Sequence, residues 1–479
     1  MLTILLSFLF SISSATDTVA SVEHTSIQAK SDSTVAERVT IDKIFIIGNK
    51  KTRKKIILRE LDVKEGEVYD TEDLEQILKA DKNKITNLRL FTSVEVTTLH
   101  LSPTLVDIVI QVSERWYTFP APIFDLVDRN FNDWWQNQNH DLSRTNYGVR
   151  IYQNNFRGRN ETLRLILQFG YTKKFGLSYR IPYIDRSQRH GLSFGFDYSE
   201  NKNVPYTTSE HKQVFLDSED LLRVERSFYL GYRFRNSFYT RHNAYLTFNS
   251  NAINDTLATL NPNFYQAGST LQRYFEFMYV FQHDKRDIVA YPLHGSEFEV
   301  EFRKSGLGIF NDINQYKLHL RYTKYIDLQR NFYLANYTST YFSGPEEQPY
   351  DNLGALGYKN DFVRGYELFL IEGQRYFLNR TTLKKKLFSF RERLNFIPVE
   401  QFRDFPLAVY IKTYFDFAYT ENIERYDENF MNTSLTNQYI YGTGFGLDFV
   451  TSYDTVIRFE YSFTKENTSG FFFHLKKEF

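Results

Sequence analysis

Arg364, within Val363-Arg364-Gly365-Tyr366, is the side chain whose setting most needs a chemical explanation. Its guanidinium is permanently charged and presents a planar fork of donors. It falls deep inside a long interruption between aromatic-rich, alternating segments, so the fork needs an acceptor. Reactive patterns are scarce elsewhere. The sequence has no His-Glu-x-x-His and no phosphate-binding loop. Glu346-Glu347 fall in a loop and read as solvated charges. His283 and His294 lack ligand spacing, and without cysteine there is no thiolate metal site. No catalytic group, metal or cofactor is expected. Charge pairing is the chemistry that remains.

The 479 residues carry 58 basic and 58 acidic side chains, which argues against a nucleic-acid partner. Tyr (35) and Phe (45) are plentiful. Met1 to Ile12 is apolar but too short to span a bilayer, and Ser13-Ser14-Ala15 supplies small residues for cleavage. Residues 1–15 therefore read as a signal peptide and 16–38 as a Ser-, Thr- and charge-rich linker. No later segment reaches the ~18 to 20 apolar residues of a transmembrane helix. An exported protein is expected, not a helical membrane protein.

Residues 39–115 predict a small α+β module in the order strand, helix, helix, strand, strand. Val39 to Ile47 alternates and ends in the turn signal Gly48-Asn49. Helical spacing follows through Ile56, Ile57 and Leu61, then Leu74, Ile77 and Leu78. Phe91 to Leu99 and Leu105 to Glu114 are the closing strands. This order, with Gly48-Asn49, Leu61, Gly66, Leu90-Phe91, Val94 and Glu114, resembles a POTRA domain. POTRA domains are polypeptide-transport modules preceding certain outer-membrane barrels.

From residue 144 onward the pattern becomes short alternating segments, the signature of a transmembrane β-barrel. Leu163, Leu165, Leu167 and Phe169 share one face, while Thr162, Arg164 and Gln168 share the other. Strands are predicted near 144–153, 161–170, 173–181, 191–199, 210–217, 225–234, 243–250 and 274–283. The second half follows near 296–303, 314–325, 332–342, 385–396, 406–419, 439–449, 455–464 and 470–479. Residues 116–143 read as a linker in which Trp134 and Trp135 suit either an interfacial anchor or packing on the small module. The predicted fold is an α+β POTRA domain followed by a 16-stranded antiparallel transmembrane β-barrel. An even count puts both barrel ends in the periplasm and makes Ser343 to Lys384, after the eleventh strand, the sixth external loop.

A POTRA-like module, a 16-stranded barrel and Arg-Gly-Tyr in the sixth loop together resemble the BamA/TamA-type superfamily of the bacterial surface antigen type. In that superfamily the sixth loop folds into the lumen and its arginine meets an acid on the thirteenth strand. Strand parity here puts Val409, Ile411, Phe415 and Phe417 towards lipid and Lys412, Tyr414 and Asp416 towards the lumen. Tyr414-Phe415-Asp416-Phe417-Ala418 resembles the family pattern, with Ala418 in the place of glycine. The resemblance thus implies a latch between Val363-Arg364-Gly365-Tyr366 and Asp416, with Tyr414 and Lys412 as lumenal support. The family's second acid, on strand twelve, has no clear counterpart, because the parity of Glu392 points it at lipid. Asp284, Arg286, Asp287, Pro292 and Gly295 resemble a turn-fixing element, and Asn155-Phe156-Arg157-Gly158 resembles the family's first hairpin. Phe471, Phe473, Leu475 and Phe479 resemble a C-terminal β-signal.

The resemblance implies a non-enzymatic factor that inserts outer-membrane proteins or translocates polypeptides by strand templating at a lateral seam. On the predicted strands, Arg144 to Gln153 faces the last strand across that seam. The implied partners are unfolded outer-membrane or secreted polypeptides reaching the POTRA-like module, membrane lipid, and accessory lipoproteins that this chain cannot specify. A dedicated two-partner secretion transporter and a passive channel are the rival expectations. The expected location is the bacterial outer membrane, with the small module in the periplasm.

Overall fold

A computed structural model describes residues 37–126, 145–310, 312–357, 361–422 and 434–477. The expected signal peptide, nearly all of the expected 16–38 linker, Trp134, Trp135 and Phe479 lie outside the described residues.

The N-terminal module is a four-stranded sheet backed by two helices. Arg38–Ile47 pairs in parallel with Leu105–Glu114 and antiparallel with a short strand, Val68–Asp70. Phe91–Ser102 forms the other edge. Helices Lys54–Leu58 and Thr71–Thr86 cover one face. The alternation of Val106, Ile108, Ile110 and Val112 puts these residues in a core with Ile41, Ile56, Ile57 and Ile85. Gly48 is required at its turn, since its φ is +93° and a Cβ would meet the Val112 carbonyl oxygen at 1.9 Å.

The rest of the described chain is built on one antiparallel ladder of sixteen strands, ordered sequentially from Thr118–Leu126 to Ser469–Lys477. Phe228, Leu230 and Phe415 point outwards, exposed by 45, 53 and 49%. No helix among the described residues is long and apolar enough to cross a membrane.

The count of sixteen conceals two errors in the predicted strands. Strand one is Thr118–Leu126, inside the expected linker. Its Phe119-Pro120-Ala121-Pro122 run does not look like a strand because proline is excluded from central strands. This strand is an edge, where proline is tolerated. Conversely, the predicted strand 210–217 is half of a separate hairpin, Asn203–Ser209 with Lys212–Asp217, at the barrel rim away from the small module. Six residues are too few to cross a bilayer, which takes about 9–11. The two errors cancel from strand six onward. Upstream they shift the numbering, so the hairpin at Asn155–Gly158 joins strands two and three at the module-side rim. It is not the first hairpin. Strand twelve is Arg375–Arg393, ten residues longer at its start than expected, so the sixth loop shrinks to residues 345–374. Its polar start, Arg375 to Lys386, hides the alternation.

The small module sits against the near rim. Tyr183, from the turn after strand four, is buried within the module's core. Asn155 Nδ2 donates to Thr52 Oγ1 (2.8 Å), and Arg53 N donates to the Gly158 carbonyl (3.0 Å). Arg235, at the end of strand six, forks onto Glu60 at 2.9 and 2.5 Å. Arg115 forks onto Asp454, between strands fourteen and fifteen, at 2.8 and 3.0 Å.

Candidate functional site

Loop 345–374 folds into the lumen, and a tight turn aims its arginine. Tyr366 N donates to the Val363 carbonyl at 2.9 Å, leaving Arg364 and Gly365 as the central residues. Gly365 has φ +101°, as the third position of a type II turn requires, and a Cβ there would meet Thr464 Cγ2 at 2.8 Å. Val363 and Tyr366 are buried on either side.

The turn delivers the guanidinium to Asp416, on strand thirteen (Asp404–Glu421). Arg364 Nε donates to Asp416 Oδ2 at 2.7 Å and Nη2 to Oδ1 at 2.5 Å, a bidentate pair. The Arg364 backbone N adds a third bond to Oδ2 at 3.1 Å. Nη2 also reaches Thr382 Oγ1 at 2.9 Å, and the guanidinium lies 3.8 Å from the Tyr414 ring centroid. Asp416 is 0% exposed and Arg364 8%. Tyr414 is therefore in direct contact with the arginine. Lys412 is not: it binds Asp448 (2.5 Å) and Glu460 (2.8 Å), and Glu460 is 3.6 Å from Arg364.

Glycines on strand fourteen (Tyr439–Thr451) permit the close approach. Asp416 stands opposite Gly442, where a Cβ would lie 1.9 Å from the Arg364 carbonyl oxygen. Gly444 likewise leaves room for Tyr414, whose hydroxyl would be 2.6 Å from a Cβ there. So Ala418 is compatible with the latch geometry; the gap lies on the neighbouring strand. The alternation Gly442, Gly444, Gly446 was the available sequence signal for this groove.

Asp361, three residues before Arg364, is a second anchor that sequence reasoning missed. It accepts from Ser339 Oγ (3.1 Å), Tyr376 OH (3.0 Å) and the Tyr337 hydroxyl, with His319 Nε2 at 2.9 Å. Burial raises its pKa, but the hydrogen bonds from His319 and Tyr337 outweigh this and hold it well below the usual carboxylate range. Its partners come from three distant strands, so no local pattern marks them.

The remaining expected residues lie elsewhere. Arg286 forks onto Asp284 at 2.8 and 2.7 Å between strands eight (Leu271–Asp284) and nine (Gly295–Ser305). Asp287 Oδ1 accepts from Leu293 N at 3.1 Å, next to Pro292 in the same turn. Gly295 has φ +103°. The element also docks the small module, because Asn87 Nδ2 donates to the Asp287 carbonyl at 2.7 Å. Glu392 is exposed near the end of strand twelve, opposite Phe405. Phe471, Phe473 and Leu475 line the outer face of the last strand, more than half exposed. Gly191-Leu192-Ser193-Phe194-Gly195 has the Gly-x-Ser-x-Gly spacing of a serine nucleophile, a pattern the chain was expected to lack. It lies mid-strand, not on a strand-to-helix elbow, and so lacks the geometry that exposes such a serine.

Two family models match. One, POTRA (surface antigen variable number repeat), covers residues 39–115. The other, the Omp85 superfamily domain, covers residues 155–479. The chain belongs to the Omp85 superfamily. No curated protein sequence matches it. Among solved structures, BamA from Haemophilus ducreyi lacking POTRA domains 1–3 is similar at 15% identity and TM-score 0.50, over 91% of this chain and 84% of that one. CdiB from Escherichia coli is similar at 11% identity and TM-score 0.53, over 91% and 76%. At these identities the likeness speaks to the fold. This Omp85 chain thus pairs one POTRA domain with a 16-stranded barrel of the outer-membrane type, and no enzyme family is among its matches.

Proposed function

We propose that this Omp85 protein inserts or translocates polypeptides at the outer membrane by lending the free edge of its sheet as a template. One observation carries this reading. Strands one and sixteen are the two ends of the ladder, and no ladder joins them among the described residues. An unpaired edge in a bilayer is costly, so it either closes or recruits a strand.

Pro120 and Pro122 keep that edge from closing fully. In an antiparallel ladder a residue either exchanges both hydrogen bonds with its partner or points both groups the other way. Asn154 N donates to the Tyr117 carbonyl, so 117, 119 and 121 face strand two (Thr145–Phe156). Residues 118, 120, 122 and 124 therefore face the seam, where both prolines lack a donor. The POTRA domain lies against the periplasmic rim and delivers clients there. The Arg364–Asp416 latch keeps the sixth loop on strands twelve to fifteen while the seam works.

Insertion of many clients is the first possibility; secretion of one dedicated client is the second. Depletion should lower many outer-membrane barrels; loss of a single exported protein would select the dedicated transporter, and no loss would overturn both. Replacing Pro120 and Pro122 with threonine restores two seam donors. It should raise thermal stability by about 1 kcal/mol per bond formed and slow client insertion. Unchanged insertion would remove the seam from the mechanism. The native sequence has no cysteine, so disulfide locks across the seam have no background.

A further inference from the structure

A cavity of about 490 Å³ lies between the POTRA domain and the periplasmic end of the lumen. Nine cationic side chains and two carboxylates line it. Six of the cations reach a carboxylate. Arg59 and Arg235 share Glu60, Arg286 takes Asp284, Arg89 and Arg115 take Asp454, and Lys84 takes Asp81. Arg180, Arg233 and Arg241 have no carboxylate within 4.0 Å among the described residues.

These three arginines lie on strands four (Lys173–Ile181), six (Arg223–Arg235) and seven (Thr240–Ile253). Among the described residues, Arg180 and Arg233 donate side-chain hydrogen bonds only to neutral oxygens, Thr162 Oγ1 at 2.9 Å and Asn243 Oδ1 at 3.1 Å. Arg241 stands directly opposite Arg235, a like-charge cross-strand pair that costs stability. Parity turns all three into the lumen, with Tyr179, Phe234 and His242 on the outer face. A cavity wall with nine cations to two carboxylates, three of the cations without an ion pair among the described residues, is suited to an external anion.

We infer that Arg180, Arg233 and Arg241 form a binding site for the carboxylates of an unfolded acidic polypeptide segment entering from the POTRA side. The choice of a polypeptide rests on the proposed function; the anion chemistry does not. The strand wall separates the three guanidinium groups from lipid headgroups. From strand four to strand seven is about 14 Å (three steps of ~4.8 Å), more than one phosphate spans and about four residues of extended chain. Trp116 and Phe119 line the same cavity and offer apolar surface to such a chain.

The test uses the full chain in detergent micelles and fluorescein-labelled peptides of alternating Gly and Glu, or of Gly and Gln, read by anisotropy. The Glu peptide should bind and the Gln peptide should not, and added salt should weaken the complex. Each of Arg180→Gln, Arg233→Gln and Arg241→Gln should weaken it about tenfold, the scale of one charge-assisted bond, whereas Arg233→Lys retains most of the binding. Asn243→Asp places an internal carboxylate beside Arg233. It should weaken peptide binding without lowering thermal stability, which separates ligand loss from misfolding. Equal binding of the Gln peptide, or unchanged binding in the triple variant, overturns the site. Displacement by inorganic phosphate or by anionic-lipid vesicles at matched charge overturns the polypeptide assignment. Because the readout needs no client insertion, a failed insertion assay with intact Glu-peptide binding would count against the proposed function and leave the anion site standing.

Discussion

Two stretches of the lumen wall handle charge differently. Among strands eight to sixteen, several basic groups meet acids on the same or a nearby strand. Arg303 takes Glu276 and Glu301 at 2.9 and 3.0 Å, Arg286 takes Glu297 at 2.9 Å, and Lys412 bridges Asp448 and Glu460. The sixth loop lies on this stretch and completes it, since Arg364 finds Asp416 there. On strands four, six and seven, Arg180, Arg233 and Arg241 have no such partner among the described residues. A buried charge without compensation is expensive, so the neutralised stretch is the part built to hold still. Arg180, Arg233 and Arg241 keep their charges open towards the POTRA domain and can answer an incoming ligand.

Breaking the latch should do the most damage. Arg364→Ala leaves the fully buried Asp416 uncompensated and should cost about 3–5 kcal/mol, read as a fall in the barrel's thermal melting point. Arg364→Asp and Asp416→Arg should each damage client insertion, and combining them should recover part of it. If the double reversal is no better than either single one, the two charges do not act as a pair.

Gly442 gives a smaller and more local break in the same stretch. Gly442→Ala pushes a methyl onto the Arg364 carbonyl and should cost about 1–3 kcal/mol by overpacking. Limited proteolysis should then cut near residues 355–372 faster than in the parent. Parent-like cutting would mean that the loop does not depend on the glycine groove.

The smallest effect is expected where the far rim is capped. His211, on the hairpin miscounted as a barrel strand, is buried against Leu370 and accepts from Leu435 N at 3.0 Å, which requires a neutral ring nitrogen. Burial lowers its pKa from 6.5. The folded state therefore resists protonation, so His211's contribution is whole above pH 6.5 and declines as the pH falls below it. The protection of the Leu435 amide, its exchange corrected for the intrinsic base-catalysed rate, should fall between pH 7.5 and pH 5 by a factor of about ten or less, and His211→Gln should flatten that dependence. A slope unchanged by the substitution would place the sensitivity elsewhere.

Much of the barrel could be seen in residue order alone, because alternation is a local property. Leu192, Phe194 and Phe196 declare a lipid face without knowledge of any neighbour. What failed, failed for identifiable reasons. Pro120 and Pro122 obscured the first strand because proline is allowed only at an edge, and edges are defined by the finished sheet. Lys212–Asp217 alternates like a membrane strand but is too short to be one. At the site, parity put Asp416 on the lumenal face and the loop position singled out Arg364. Asp361 stayed hidden because its partners, Ser339, Tyr337 and Tyr376, become neighbours only once strands eleven and twelve pair.

The sequence by itself determined the kind of protein: one POTRA-like module, then alternating strands whose polar face must line a lumen, with one loop arginine seeking an acid. Those properties depend on side-chain order along a few residues. Only the tertiary structure decided which strands are edges, that Gly442 lies opposite Asp416, and that Arg180, Arg233 and Arg241 share one cavity. These depend on register between segments tens of residues apart, where a slip of one residue would turn every side chain to the other face.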